Sequence, residues 1–434
     1  MTLEIPAIPK RVGMILDQPF PPDARVEREA VALVEAGFEV HLLCMAKAEE
    51  AVREEVYRGI FIHRVLPSEA FYRLPVLGVK TRLPYLGAFR NLARFLWHLD
   101  LEWHTLIDQF IKEHAIEVLH VHDLRLVTTG LSLAGRFGIP LVADLHENYP
   151  ALMAMLKGKT DPVRGERQRL RWEEIETYCT LDADRVFVVI EEARDRLIAK
   201  GVAPEKITVV PNAVDAEKFE KASVDASVIR KYKDSFLLTY VGHINSPHRG
   251  IHTVIEAMGQ LKDDMPDLKL VAAGPVRENY GLELKALMDR HGLSERVEFT
   301  GWLDETEFVS YIEAADVCLC PHMVTDHTET TFPNKVYLYN LLKKPVLASS
   351  CKPLERYVAD TQGGLTFESG NAGDLAAKIK KLYRDADLRA SLGENGRQAV
   401  LDRYHWQHHA GRVVSVYRDL MGVPEPERIK VSRA

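Results

Sequence analysis

Short apolar runs alternate with amphipathic stretches of helical period from one end of the chain to the other. Residues 12–16 read as a buried strand, and the pattern from about 25 to 36 predicts a helix that Gly37 stops. Further apolar runs lie at residues 40–44, 118–122, 141–144 and 186–190, with helical patterns between them. A strand buried on both faces reads as a continuous apolar run, so this alternation predicts parallel βαβ units. After Val209-Val210-Pro211-Asn212 the alternation restarts, with apolar runs at 237–242, 268–274, 297–301, 317–320 and 345–348. The pattern thus predicts an α/β chain of two Rossmann-like, doubly wound parallel-sheet units. A hinge is expected around 211–235, and a last amphipathic helix from about 405 to 421. Ligands of such sheets bind outside the carboxyl ends of the strands, which makes a cleft faced by both units the expected site.

Composition narrows the class. The 434 residues carry 56 Lys+Arg against 63 Asp+Glu, a net charge of −7, with 46% hydrophobic residues. The length suits two domains, each able to bury a core, and the acidic balance argues against a general nucleic-acid binder. The odd, scattered set Cys44, Cys179, Cys318, Cys320 and Cys351 reads as reduced thiols of a cytoplasmic protein. Residues 1–11 lack the basic-then-apolar order of a secretory signal, and no run approaches the ~18 apolar residues that cross a bilayer.

Two turns carry candidate chemistry. In Val241-Gly242-His243-Ile244-Asn245-Ser246-Pro247-His248-Arg249-Gly250, Gly242 allows a sharp turn at a strand end and Arg249 stands at a helix start. An arginine beside free backbone N–H groups is placed to bind a diphosphate. Neither the G-x-G-x-x-G nor the P-loop pattern is present. The second turn, Thr328-Glu329-Thr330-Thr331-Phe332-Pro333-Asn334-Lys335, follows the run ending near Pro321, with Pro333 expected in the first turn of the next helix.

Taken in order, these segments resemble the GT-B fold glycosyltransferases of family 4, also called group 1. The resemblance runs through Phe20-Pro21-Pro22-Asp23-Ala24-Arg25-Val26, His120-Val121-His122-Asp123 and Asp144-Leu145-His146-Glu147. It continues through Val209-Val210-Pro211-Asn212-Ala213-Val214-Asp215, Val297-Glu298-Phe299-Thr300-Gly301-Trp302 and Pro333-Asn334-Lys335 to Pro345-Val346. It implies an acceptor-side domain over residues 1–212, a donor-binding domain over 213–404, and a C-terminal helix within 405–434 that crosses back to the first domain.

The resemblance implies a nucleotide-diphospho-sugar as co-substrate and no cofactor or metal. Its donor-binding residues would be Gly242, His243, Arg249, Trp302, Leu303, Thr330, Thr331, Phe332 and Lys335, with Asp23, Arg25, His146 and Glu147 on the acceptor side. His122, Arg249 and Glu329 would act in catalysis, with retention of anomeric configuration. Two positions depart from the family pattern. His243 replaces the usual arginine of the diphosphate pair, and Leu338 stands where a glutamate normally holds the ribose. Leu338 keeps a second class open, a degenerate protein that binds a sugar nucleotide or a partner without transfer. A sugar-nucleotide epimerase of the same fold is a further alternative, but no acid/base carboxylates for it can be placed.

Other patterns are read as structural. Asp182-Ala183-Asp184 has D-x-D spacing but precedes a strand, and is expected to end a helix. His405, His408 and His409 share a helical face without a fourth ligand for zinc. Residues 71–98 carry Arg73, Lys80, Arg82, Arg90 and Arg94 interleaved with Phe71, Tyr72, Leu77, Tyr85, Phe89, Phe95 and Trp97, with no acidic residue. Such a stretch suits an anionic membrane surface, and predicts peripheral contact with the inner face of a membrane near a glycan or lipid-linked acceptor.

Overall fold

A computed structural model describes residues 10–47, 53–66, 100–158 and 161–424. The chain divides into two compact units at Pro211/Asn212, and the segment from His409 belongs with the first unit. In the first, strands β1 (Arg11–Pro19), β2 (Glu39–Met45), β3 (Glu54–Tyr57), β4 (Ile60–Val65), β5 (Val118–His122), β6 (Leu141–Leu145), β7 (Arg185–Val188) and β8 (Ile207–Val209) form one sheet. Their order is β3-β4-β2-β1-β5-β6-β7-β8. Every pairing is parallel except the β3–β4 hairpin.

The apolar runs became the central strands because both faces of the sheet are covered: β5 and β6 are buried at every position. The hairpin escaped the apolar-run criterion. Its first strand, Glu-Glu-Val-Tyr, is an edge strand with exposed and half-buried positions alternating, and Arg58 and Gly59 turn it at positive φ. The C-terminal helix Gln407–Met421 lays Tyr417 against this unit, its hydroxyl hydrogen-bonded to His120 Nδ1 and its ring at 6.1 Å from that of Phe38.

The second unit holds β9 (Phe236–Val241), β10 (Leu268–Ala273), β11 (Val297–Gly301), β12 (Val317–Cys320), β13 (Val346–Ser349) and β14 (Gly364–Phe367). The order is β11-β10-β9-β12-β13-β14, parallel throughout. Leu238, Leu270, Val317 and Leu347 on its strands meet Val254, Ile255 and Met258 of the helix Ile251–Leu261 in one core cluster. The segment read as a hinge contains two short helices, Ala216–Glu220 and Ala226–Tyr232, each capped by an aspartate, Asp215 and Asp225. The Asp182-Ala183-Asp184 segment ends the helix Pro162–Asp182, and the Asp184 carboxylate accepts a hydrogen bond from the Leu141 backbone.

The five cysteines are buried. Among the described residues no helix is long and apolar enough to cross a membrane. The basic and aromatic stretch 71–98 lies outside the described residues.

Candidate functional site

The second unit gathers cations where β9 and β12 end. Gly250, at φ +73°, starts the helix after β9 so close to β12 that a Cβ there would lie 1.6 Å from the Pro321 carbonyl oxygen. Only glycine allows that approach. It sets Arg249 beside His322, with Nη1 and the imidazole Nε2 at 3.4 Å. From the helix Lys335–Leu341, Lys335 reaches back to the turn after β9, its Nζ 3.6 Å from the centre of the Tyr240 ring. A Cβ built on Gly242 would lie 3.1 Å from that nitrogen.

Electrostatically this corner is set for an anion. Lys335 Nζ and Arg249 Nε are both buried without a hydrogen-bond partner. Burial, opposed by the neighbouring Cys320 thiol and aided by Arg249, pulls the Lys335 ammonium down to about 7. Burial and these two cations hold His322 well below the usual imidazole range, so it stays neutral. A buried ammonium with only a ring face for company is costly unless a charged oxygen joins it.

The other residues expected on the donor side divide into two groups. His243 is exposed, with its carbonyl accepting from the Tyr240 hydroxyl. Trp302 follows β11 and is 72% exposed, with Leu303 half-buried beside it. These can meet a ligand. Phe332, by contrast, is buried in an aromatic cluster with Tyr337 and Tyr357 at 4.6 and 5.0 Å, and serves the core. The Thr330 and Thr331 hydroxyls bond back to the carbonyls of Asp326 and His327. Glu329 accepts from the Lys352 backbone at 3.0 Å and faces its ammonium at 3.3 Å, capping the helix Lys352–Thr361. Pro333 precedes its helix by two residues instead of opening it. Leu338 is buried, 7% exposed.

The first unit has its own polar cluster at the ends of β1, β5 and β6. Arg25 sits at its centre, with Nε and Nη2 on the Asp144 carboxylate at 2.9 and 2.5 Å, Nη1 on the Val210 carbonyl at 2.7 Å and Glu29 at 3.0 Å. His122 Nδ1 lies 3.0 Å from Asp144 and 3.3 Å from His146 Nε2. His146 bridges Asp144 at 2.8 Å and Asp123 at 3.5 Å. Burial would neutralise that imidazole, but Asp123 and Asp144 overcome it and raise His146 to about 10. Against burial, Arg25 and His146 hold the Asp144 carboxyl well below the usual range. His122 is lowered by burial and by its neighbour His120, and stays neutral.

This places the residues expected on the acceptor side. Asp23 is the N-cap of the helix Ala24–Glu35, accepting from the Arg25 and Val26 backbone, and Arg25 is held entirely inside the cluster. Arg25 is buried and Asp23 half-buried, and both are taken up in holding the helix and the cluster together. His146 and Glu147 sit at the loop that opens it, with the His146 side chain 17% exposed. His122 is 1% exposed, its Nε2 enclosed without a partner. Glu29, His120, His122 and Asp144 bring ligand atoms within 4.8 Å, yet the Arg25 guanidinium already supplies the cation there.

Asp123 was not singled out from the sequence. It follows β5 at φ +61°, ψ 152°, a strained conformation for a residue that carries a side chain. Burial raises its carboxyl to about 6, against the pull of His146. His322 was also missed. Its position just past the end of β12 was the available signal, because strand carboxyl ends are where such sheets bind ligands.

Two family models match the chain, "Glycosyltransferase Family 4" over residues 24–218 and "Glycosyl transferases group 1" over residues 224–399. A D-inositol 3-phosphate glycosyltransferase of Paenarthrobacter aurescens is 24% identical, covering 92% of this chain and 93% of that protein. The phosphatidyl-myo-inositol mannosyltransferase of Mycolicibacterium smegmatis is 22% identical over 95% of this chain and 94% of its own. Among solved structures, Anabaena HepE in complex with UDP and glucose superposes with a TM-score of 0.68 at 17% identity, covering 95% of this chain and all of that one.

Proposed function

From the premise that the chain belongs to the group 1, family 4 glycosyltransferases, we propose that it is a retaining enzyme using a nucleotide-diphospho-sugar donor. Its acceptor is a glycan or a lipid-linked sugar, in cell-surface polysaccharide or glycolipid synthesis. The observation that carries the donor assignment is the buried, partnerless Lys335 ammonium beside Arg249 at the ends of β9 and β12. Lys335 supplies the second cation that His243 does not, and the pair needs no metal ion at the diphosphate.

In the proposed step, the bond from the anomeric carbon to the β-phosphate oxygen breaks and negative charge builds on that phosphate. Arg249 and Lys335 stabilise the charge in a water-poor corner, where fixed cations act most strongly. The acceptor oxygen bonds to the anomeric carbon from the same face, and its proton passes to the departing phosphate. Exposed Trp302 is the platform proposed for the base, and Asp123 with His146 the group proposed to orient the acceptor. His122 is proposed to meet the transferred sugar through Nε2, and Glu329 to act by fixing the turn before Lys335.

Thermal-shift measurements with UDP, GDP, ADP, TDP and their sugars test the donor site. One nucleotide is expected to stabilise the chain, with the effect lost in Arg249→Ala. No shift from any of them overturns the reading. The place of Leu338 favours one competing reading, a sugar-nucleotide binder without transfer, and it would gain if binding occurs while neither donor hydrolysis nor transfer does.

The acid-free composition of residues 71–98 supports work at the inner face of an anionic membrane, with the protein otherwise in the cytoplasm. Flotation with anionic liposomes tests it, and failure to bind at low salt rejects it.

A further inference from the structure

Away from the Arg25 cluster, three histidines meet on one face of the first unit's sheet. The register of β2 with β4 pairs Leu43 with His63 and His41 with Phe61, so His41 and His63 are same-face neighbours one step apart. The helix Leu101–His114 covers that face and ends there, its last side chain entering the pair. The His114 ring lies 4.8 Å from that of His41 and 4.1 Å from that of His63. One ring nitrogen from each of the three lies within 4.8 Å of the others. His41 is buried, and the His63 side chain is 14% exposed.

We propose that His41, His63 and His114 bind one divalent cation of the zinc class, a site separate from the donor corner that ties the helix to the sheet. Geometry carries it. His41 Nδ1 and His63 Nε2 stand 3.1 Å apart, close to the ~3.3 Å separating two ligands about 2.0–2.1 Å from a tetrahedral zinc ion. The outward nitrogens of both rings face carboxylates. His41 Nε2 lies 3.0 Å from Glu39, itself paired with Arg11 at 2.9 Å, and His63 Nδ1 lies 3.6 Å from Glu54. A carboxylate behind each imidazole draws the proton outward and leaves the inner nitrogen as a lone pair, the arrangement found behind metal-bound histidines. Without a metal, one inner nitrogen can keep its proton and hydrogen-bond the other across 3.1 Å; with both protons outward, the two lone pairs point at a shared position that a cation fills.

The ligand type sets the class of metal, since imidazoles suit zinc, cobalt, nickel and copper better than magnesium or calcium. A cavity of about 130 Å³, lined by His63, His114, Glu54 and Glu113, adjoins the cluster and leaves room for water at the fourth position. No sequence motif announces this site, because its members stand 22 and 51 residues apart and belong to three elements.

The test uses the full chain, stripped with a chelator and titrated with Zn²⁺ against a chromogenic competitor, with metal content measured after dialysis. The expected result is one zinc per chain, a higher Tm than the stripped protein, and an intense visible spectrum when Co²⁺ takes its place. His63→Gln and His114→Gln should each abolish the cobalt spectrum, and Glu39→Gln should weaken zinc binding by about 10- to 100-fold. Circular dichroism in chelator checks that each variant is folded, and His114→Gln, at a helix end, is the fallback if His63→Gln is not. Sub-stoichiometric zinc in the wild-type chain, or binding unchanged in folded His114→Gln, overturns the proposal. Nucleotide-induced thermal shifts should be the same with and without chelator, which separates this outcome from that of the donor site.

Discussion

The ammonium of Lys335 lies 3.6 Å over the ring of Tyr240, and no hydrogen-bond acceptor reaches its nitrogen. Among the described residues of that corner the other cation is Arg249, and its neighbour His322 is a neutral imidazole. Among the described residues no acceptor meets the Lys335 nitrogen, and a diphosphate is the anion proposed to complete the arrangement.

Nucleotide affinity should therefore be linked to protons. Burial pulls free Lys335 down to about 7, so above that pH much of the population must take up a proton before it can pair with an anion. Affinity for the preferred nucleoside diphosphate should fall as pH rises from 7 to 9. Calorimetry in buffers of different ionisation enthalpy should detect proton uptake at pH 8. Lys335→Met should lose that uptake and bind at least ~10-fold more weakly, the scale of one charge-assisted contact. Equal affinity in wild type and variant would remove Lys335 from the site.

The stability of the ligand-free fold should move the opposite way. A lysine with a lowered folded value binds fewer protons than its unfolded counterpart between about 7 and ~10.4. Its contribution makes the ligand-free chain more stable as pH rises through that window. Lys335→Met should therefore be stabilising relative to wild type at pH 6 and much less so at pH 9, compared by urea titration.

In the first unit, Arg25→Ala would leave Asp144 buried beside Glu29 without its bidentate partner. Removing one side of a buried pair typically costs about 3–5 kcal/mol. Arg25→Lys should recover only part of that loss, because an ammonium cannot span both Asp144 oxygens and the Val210 carbonyl. Chemical denaturation at pH 7 measures both, and a full rescue by lysine would show that charge alone matters.

Asp123, raised to about 6 by burial, should make transfer pH-dependent on the acid side. Its carboxylate form dominates above that value, so kcat/KM should decline as pH falls from 7 to 5. Asp123→Asn should be slow at pH 7 and lack that decline. A variant with wild-type rate and profile would reduce Asp123 to a strained turn residue.

Gly250→Ala tests the backbone of the donor corner. With φ at +73° and a Cβ 1.6 Å from the Pro321 oxygen, the chain must shift for alanine to fit. A loss above ~2 kcal/mol is expected, at the upper end for strained positions, together with weaker nucleotide binding as Arg249 moves. Unchanged Tm and affinity would mean that the two strand ends are not held so close.

The central strands were legible because burial on both faces imposes an uninterrupted apolar run, as in Val118–His122 and Val317–Cys320. The edge hairpin was not, since Glu54 and Glu55 on its exposed and half-buried first strand leave no such run. The turn at Gly242–Gly250 could be singled out because its glycines and its arginine are local features. The neighbours that give it chemical meaning are not local. His322 and Lys335 come from separate strand and helix ends, 73 and 86 residues beyond Arg249.

The same division explains the roles that changed. Arg25, Asp23, Phe332 and Glu329 have residue types that a binding site can use, and only packing shows that caps, a buried ion pair and an aromatic cluster occupy them. Periodicity along the chain therefore determined the central strands, their two groups and the strand ends at which sheets of this kind bind ligands, because burial is written locally into each element. Tertiary structure decided which charges are left without partners and which histidines converge, because a side chain's solvation and neighbours depend on elements that fold against it from elsewhere.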